Sequence, residues 1–248
     1  MPTIGAYIIG DEILSGRRQD KHLAALIDIL AERGLQLGWC LYLGDDREQQ
    51  AAAYAHSLQR DDIVFSFGGI GATPDDQSRQ ACALAAGVPL LQHPEGIREL
   101  EAQFGAEAWP NRVRMVEFPQ GARLIPNPVN RVPGFSLQHH HFVPGFPNMA
   151  WPMVRWVLAH VYPDLHAPRL LTRSFLCHDA RESVLIPLME QFVRRYPSLR
   201  LSSLPHSVDP QQPKPPVIEF GVTGPAADAD AACEWLKAAL IEDGYTLG

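Results

Sequence analysis

Apolar runs that end in glycine and acid, each followed by a stretch of helical periodicity, restrict this chain more than any other feature. Ile4–Ile9 is one such run, and Ile63–Phe67 is another. After the first, Asp20 stands as a helix cap before Leu23, Leu26, Ile27 and Leu30, which recur at helical spacing until Gly34. Residues 35–43 read as a second strand and 46–58 as an Ala-rich helix. Residues 78–86 read as a helix closed by Gly87, 88–91 as a fourth short strand and 95–104 as a further helix. Strands that alternate with helices ask for crossover connections, hence a mainly parallel sheet with helices on both faces. Ligands of such sheets gather at the carboxyl ends of the strands.

The expectation is a three-layer α/β domain over residues 1–165. Between 110 and 152 the pattern turns irregular and proline-rich, and the apolar pieces ARLI and HHHFV suggest an antiparallel edge or a covering subdomain before a closing helix at 151–161. YPDLHAPR reads as a linker. Residues 169–248 then give strand (170–176), helix (180–195), two strands (199–204 and 217–223) and helix (228–241), a small separate α+β domain. Its loop VDPQQPKPP is expected to be mobile.

Composition removes several classes of function. At 248 residues and 46% hydrophobic, the chain buries one large core, or one core and a smaller second domain. Its net charge is −7, and acidic residues outnumber basic ones on both sides of residue 165, so no nucleic-acid partner is expected. Cys40, Cys82, Cys177 and Cys233 lie far apart without a CxxC pair, and read as small core residues in a reducing compartment. The N-terminus has no positive n-region and no apolar run nears the ~20 residues of a membrane span, so a cytoplasmic protein without membrane contact is expected.

The stretch GGIGATPDDQS, residues 68–78, has two readings. As a helix start, Thr73 is the cap, Pro74 the first helical residue, and Asp75 and Asp76 oppose the positive end of the helix dipole. As a phosphate site, Gly68, Gly69 and Gly71 leave backbone N–H groups open to an anion. Two aspartates would repel that phosphate unless a divalent cation bridged them. Gly10-Asp11-Glu12 leaves the first strand and Gly44-Asp45-Asp46 the second, so three acidic turns converge on one crevice of a parallel sheet.

Other candidates have plainer readings. His139, His140 and His141 cannot all ligate one ion, because successive strand residues face opposite sides; a strand edge near the pocket is expected. Gly221-Val222-Thr223-Gly224 mimics an RNA-binding GxxG loop but lacks basic surroundings. Trp151 and Trp156 read as core or oligomer contact. His93-Pro94-Glu95 is either a helix start or a ligand-facing turn.

GDEILSG (10–16), YLGDD (42–46), IVFSFGGIGATPDD (63–76), HPE (93–95), LIPNP (124–128) and FVPGFP (142–147), in this order and spacing, resemble the MoaB/Mog molybdopterin-binding domain. The likeness is to the version in CinA-type competence/damage-inducible proteins and at the front of eukaryotic FAD synthases. It spans residues 4–165. Residues 169–248, with RESVLIPLMEQF and SLP at 203–205, resemble the small α/β domain that follows in CinA-type chains.

The resemblance implies a phosphorylated small-molecule ligand, molybdopterin or an adenine nucleotide. Gly68, Gly69 and Gly71 would cradle its phosphate, with Gly10, Thr73, Ser78, Pro144 and Gly145 completing the binding set. Asp76 and Asp45 would be catalytic. Asp45, Asp75 and Asp76 would ligate Mg2+, Mn2+ or Co2+, with Asp11 and Glu12 helping to orient metal or water. The Mog branch adenylylates molybdopterin or inserts molybdate; CinA-type domains are associated with metal-dependent cleavage of ADP-ribose-like or FAD-like pyrophosphates. Such domains also associate, so a homo-oligomer is expected. The chain departs from the family at Asp20-Lys21-His22, where Asp-Thr-Asn is usual, at Ser78 for threonine, and at Pro147-Asn148-Met149, where the turn commonly continues toward glutamate. No third domain is expected after residue 248, hence neither deamidase nor FAD-synthase adenylyltransferase activity. Two classes remain: an enzyme that splits or forms a phosphoanhydride in a pterin or adenine nucleotide, as a metal-dependent nucleotide pyrophosphatase or as the adenylyl transferase of molybdenum cofactor biosynthesis, and a module that binds molybdopterin or nucleotide without turnover.

Overall fold

All six residues of strand β1 (Ile4–Ile9) are buried, as a strand covered on both faces requires. In the computed structural model, which describes residues 2–206 and 215–248, β1 lies between β2 (Trp39–Leu43) and β3 (Ile63–Phe67) and runs parallel to both. The chain divides into two compact units, Met1–His166 and Ala167–Gly248.

In the first unit, β1 leads through a single turn α1 (Asp11–Leu14) to α2 (His22–Ala31); α3 (Arg47–Leu58) follows β2, and α4 (Ser78–Ala86) follows β3. The sheet has six strands in the order β2-β1-β3-β8-β7-β6, with β6 (Arg123–Ile125), β7 (Gly134–Leu137) and β8 (His140–Val143) supplying the second half. β8 runs parallel to β3, whereas β7 and β6 are antiparallel additions. Tyr7 and Ile9 pack with Ala51 and Tyr54 of α3 and Ala81 and Cys82 of α4. Ile4, Ala6 and Ile8 point to the opposite face, where α2 packs against α6 (Pro147–His160). An aromatic series crosses the first face, Tyr7 to Tyr54 at 5.0 Å, Tyr54 to Phe142 at 5.3 Å and Phe142 to Phe135 at 4.4 Å between ring centroids. The fold is the expected three-layer α/β arrangement with a mainly parallel sheet.

Two expectations change and two open readings are decided. β4 (Leu90–Gln92) is not a member of the main sheet. It pairs antiparallel with β5 (Glu117–Pro119) beside α5 (Pro94–Phe104), and its Leu91 and Gln92 are exposed, so the strand has no covering on both faces. HHHFV is no edge: β8 is an interior strand, and His140 and His141 are almost wholly enclosed. Thr73-Pro74-Asp75-Asp76 forms a turn, the Asp76 N–H donating to the Thr73 carbonyl at 3.1 Å, and α4 begins only at Ser78. Because Asp76 turns its carboxylate back onto Thr73, the helix start that TPDD spells is used as a loop instead. His93-Pro94-Glu95, by contrast, is a helix start: His93 Nδ1 accepts the Gly96 N–H at 3.4 Å. Trp156 is half-buried and stacks on His160 at 4.6 Å.

The second unit runs β9 (Leu171–His178), α7 (Glu182–Arg195), β10 (Arg200–Pro205), β11 (Val217–Gly224), α8 (Ala226–Glu242), β12 (Thr246–Leu247), with antiparallel sheet order β10-β11-β9-β12. This is the split β-α-β, ferredoxin-like arrangement. Phe175, Cys177, Phe220 and Val222 share a core with Phe192 of α7 and Leu236 and Leu240 of α8. The GVTG step lies within β11 and forms no loop. Most of VDPQQPKPP, residues 208–214, lies outside the described residues. Among the described residues no helix is long and apolar enough to cross a membrane.

Candidate functional site

A cleft of about 710 Å3 opens in the first unit where β1, β2, β3 and β8 end, as the sheet topology requires. Gly10, Glu12, Asp45, Gly68, Gly69, Gly71, Thr73, Asp75, Asp76, Pro144 and Gly145 line it, so most of the expected residues meet in one place. Asp11 and Ser78 do not line it; both act from behind.

The first two exits are tied to each other. The Asp11 N–H donates to Asp45 Oδ2 at 3.0 Å, and the Asp45 N–H donates to Asp11 Oδ1 at 3.3 Å. Each carboxylate thereby closes the other's turn. Asp46 caps α3 by accepting the Gln49 N–H at 2.8 Å and takes no part in the cleft. Partial burial, and then the nearby carboxylates of Asp11, Glu12 and Asp75, push the Asp45 carboxyl above its ordinary range, against the opposing effect of the Asp11 N–H.

The glycine loop after β3 is held differently. Gly68 has φ 98°, and a Cβ there would stand 2.7 Å from the Ile9 carbonyl oxygen; at Gly69, φ 68°, a Cβ would collide with Ser78 Oγ. Only glycine fits either position. Ser78 Oγ donates to the Gly68 carbonyl at 3.0 Å and the Ser78 N–H to the Gly69 carbonyl at 2.9 Å, so this buried hydroxyl supports the loop from below. Asp76 Oδ2 accepts the Thr73 N–H at 3.0 Å and also the Thr73 hydroxyl. The N–H groups of Gly69, Ile70 and Gly71 find no acceptor among the described residues.

Sequence reasoning passed over two anchors. Arg79 is 2% exposed and donates from Nη2 to the Gly71 carbonyl at 2.6 Å, and from Nη1 to the carbonyls of Arg114 at 2.5 Å and Glu117 at 3.1 Å. A buried guanidinium thus fixes the loop's far end; burial lowers its pKa, and Glu117 and Asp76 oppose that. Its signal was legible, since Arg79 shares a helical face with Cys82, Ala83 and Ala86, where a charge belongs only if its donors are used. His22 is the second. Its Nε2 lies 3.2 Å from the Gly145 carbonyl, its ring stacks on Phe67 at 4.6 Å, and its Nδ1 is buried without a partner. Burial lowers the His22 pKa, against the raising effect of the Gly145 carbonyl and Asp20. Asp20 positions it by accepting the N–H groups of His22 and Leu23 at 2.7 and 3.1 Å.

The three histidines at 139–141, expected on a strand edge near the pocket, stay out of the cleft. His140 Nε2 lies 2.7 Å from Ser57 Oγ, and His141 bonds Ser136 Oγ at 2.8 Å and the Tyr162 hydroxyl at 2.9 Å, all within the body of the sheet. Both His141 nitrogens are thereby paired, whereas His140 is bonded through Nε2 and its buried Nδ1 has no partner.

A sequence profile described as "Probable molybdopterin binding domain" matches residues 5–167. The chain belongs to this molybdopterin-binding domain family. A CinA-like protein from Anaeromyxobacter sp. (strain Fw109-5) is 30% identical over 234 residues, which cover 90% of this chain and 55% of that protein. Protein Ta0487 from Thermoplasma acidophilum is 24% identical over 250 residues, covering 98% of this chain and 95% of its own. A crystal structure of the protein CinA of unknown function, also from Thermoplasma acidophilum, superposes with a TM-score of 0.57 at 26% identity, over 62% of this chain and 96% of that one. The chain spans about half the length of the CinA-like relative from Anaeromyxobacter.

The family resemblance implies a divalent cation among the cleft's carboxylates, and the donor set can be tested for it. Among the described residues no three His, Cys, Asp or Glu side chains are grouped closely enough to enclose an ion. Mg2+-type cations do not need such a cage: one or two carboxylates, waters and substrate phosphates suffice. Glu12, Asp45 and Asp75 are oxygen donors that line the cleft; burial first, and then repulsion from neighbouring carboxylates, raises the Asp45 carboxyl, and a cation would relieve that repulsion. The residues fit a shared, substrate-completed ion.

Proposed function

We propose that the cleft binds molybdopterin or an adenine nucleotide by its phosphate and, with a divalent cation, cleaves the phosphoanhydride of ADP-ribose-like or FAD-like compounds. The observation that carries this is the row of N–H groups at Gly69, Ile70 and Gly71, without an acceptor among the described residues, in a cleft that Glu12, Asp45 and Asp75 also line. Ser78 from below and Arg79 from the far end hold those donors in place before any ligand arrives, which is the preorganisation that phosphoryl chemistry uses. Ile70, Met115, Val132, Pro133, Phe146 and Met149 give the cleft an apolar part suited to a flat heterocycle. Glu12, Asp45 and Asp75 would hold the cation, which when bound supplies charge neutralisation and polarises a water.

A second reading is favoured by one specific observation. Asp11, Asp45 and Asp76 already accept hydrogen bonds from the chain itself, so they serve the loops whether or not a metal binds. In that reading the protein holds its ligand without turnover. AMP release from ADP-ribose, FAD and ATP in Mg2+, Mn2+ and Co2+, run beside a molybdopterin-binding assay, separates them. AMP release that stops with a chelator is the expected result; ligand binding with no release under any metal replaces it with the second reading.

A further inference from the structure

We infer that Arg18 and Lys21 are the counter-charges for a second phosphate, so that the cleft selects diphosphates over monophosphates and does so without a metal. This rests on the reading of the cleft as a phosphate site. Both side chains line the cleft and are exposed, yet among the described residues neither forms an ion pair or a side-chain hydrogen bond. That is unusual company for unpaired cations, because Glu12, Asp45, Asp75 and Asp76 line the same space. Seven other arginines of the chain, such as Arg60 and Arg131, find a carboxylate.

The segment that carries them is fixed from several sides. The Arg18 N–H donates to the Glu12 carbonyl at 2.9 Å. Asp20 caps α2 and accepts the Tyr42 hydroxyl at 2.9 Å. His22, next to Lys21 and 6% exposed, is wedged between Phe67 and the Gly145 carbonyl, and Gly145 in turn lies against Gly68. Two anion-seeking groups therefore stand on separate, anchored segments: the N–H groups of the glycine loop and the cations of the loop before α2. One phosphoryl group satisfies the first; a second, joined through a bridging oxygen, satisfies the other. His22 adds a mark of the same kind, its Nδ1 enclosed without a partner at the cleft wall.

The test is calorimetric binding of ADP and AMP in EDTA, and again in Mg2+, to the wild-type chain, to Arg18→Gln/Lys21→Gln and to Lys21→Arg. We expect ADP to bind at least ~10-fold more tightly than AMP in EDTA, the double variant to erase that preference, and Lys21→Arg to keep most of it. AMP affinity should change by less than ~3-fold in the double variant, since its single phosphate sits on the glycine loop. Both positions are exposed, and unchanged melting confirms that the variant folds. Equal ADP and AMP affinity in EDTA, or a preference that survives the double substitution, overturns the inference. Binding of ADP only with Mg2+ overturns it too while leaving the proposed function standing. Binding of neither nucleotide under either condition overturns the inference and also removes the adenine-nucleotide arm of the proposed function.

Discussion

β3 and β8 are neighbours in the sheet and run in the same direction, yet they place their polar groups at opposite addresses. β3 is apolar or buried along its whole body, and its polar groups come after it, in the glycine loop. β8 carries two histidines in its body and leaves the sheet through Pro144 and Gly145. The histidines are enclosed and bonded to Ser57, Ser136 and Tyr162, whereas the N–H groups after β3 are open. Ionisable residue type is therefore a poor guide to this site. Position at the carboxyl end of a parallel strand, combined with donors the chain does not use, is the better one.

The largest effect that sharpens the contrast is acid destabilisation through β8. Burial first, and then neighbouring histidines, lower His140 to about 4 and His141 to about 3. Their unfolded counterparts titrate near 6.5, so as pH falls below ~6.5 the unfolded chain takes up protons that the folded chain refuses. Stability contributed by the neutral histidines is complete above that pH and is lost as pH falls toward the folded values. His140 alone accounts for about 3 kcal/mol by pH 4. Urea midpoints between pH 7.5 and 4 should fall accordingly, and His140→Gln should flatten the fall. If His140→Gln leaves the pH profile unchanged, β8 is not the structural strand described here.

Next in size is Arg79→Met. The substitution fills the space but leaves the carbonyls of Gly71, Arg114 and Glu117 without their charged donors. A loss of about 2–3 kcal/mol is expected, with weaker nucleotide binding because the far end of the glycine loop is released. A thermal melt and a binding titration on one preparation check both. Loss of stability with undiminished affinity would show that the loop needs no preorganisation, and would weaken the contrast with β8.

What the sequence disclosed follows the same division. β3 and the body of α4 were legible because apolar runs and glycine stops are local signals, and Gly68 and Gly69 announced a backbone that only glycine can take. The pairing of β4 with β5 was not legible, since a three-residue strand gives no periodicity to read. Nor was the reciprocal bonding of Asp11 and Asp45, which joins residues 34 positions apart. TPDD left two readings open for a physical reason: the residues that cap a helix also close a turn, and only the direction of the Asp76 carboxylate decides between them.

The smallest effect on stability is expected at that same residue, and it divides the two functional readings most cleanly. Asp76 Oδ2 closes the turn by accepting the Thr73 N–H and hydroxyl, and Asn retains an oxygen able to do so. Asp76→Asn should therefore cost less than ~1 kcal/mol, whereas Asp76→Ala removes the acceptor and opens the turn. If the carboxylate charge acts in metal-assisted cleavage, both variants should lose turnover by ~10²-fold or more, because neither supplies the charge. If Asp76 is only a staple for the glycine loop, Asn should behave as wild type and Ala alone should lose ligand affinity. Rates of AMP release and nucleotide affinities for the pair give four numbers. An Asp76→Asn variant that binds and cleaves normally would retire the carboxylate from catalysis while leaving the open N–H groups after β3 as the ligand's principal hold.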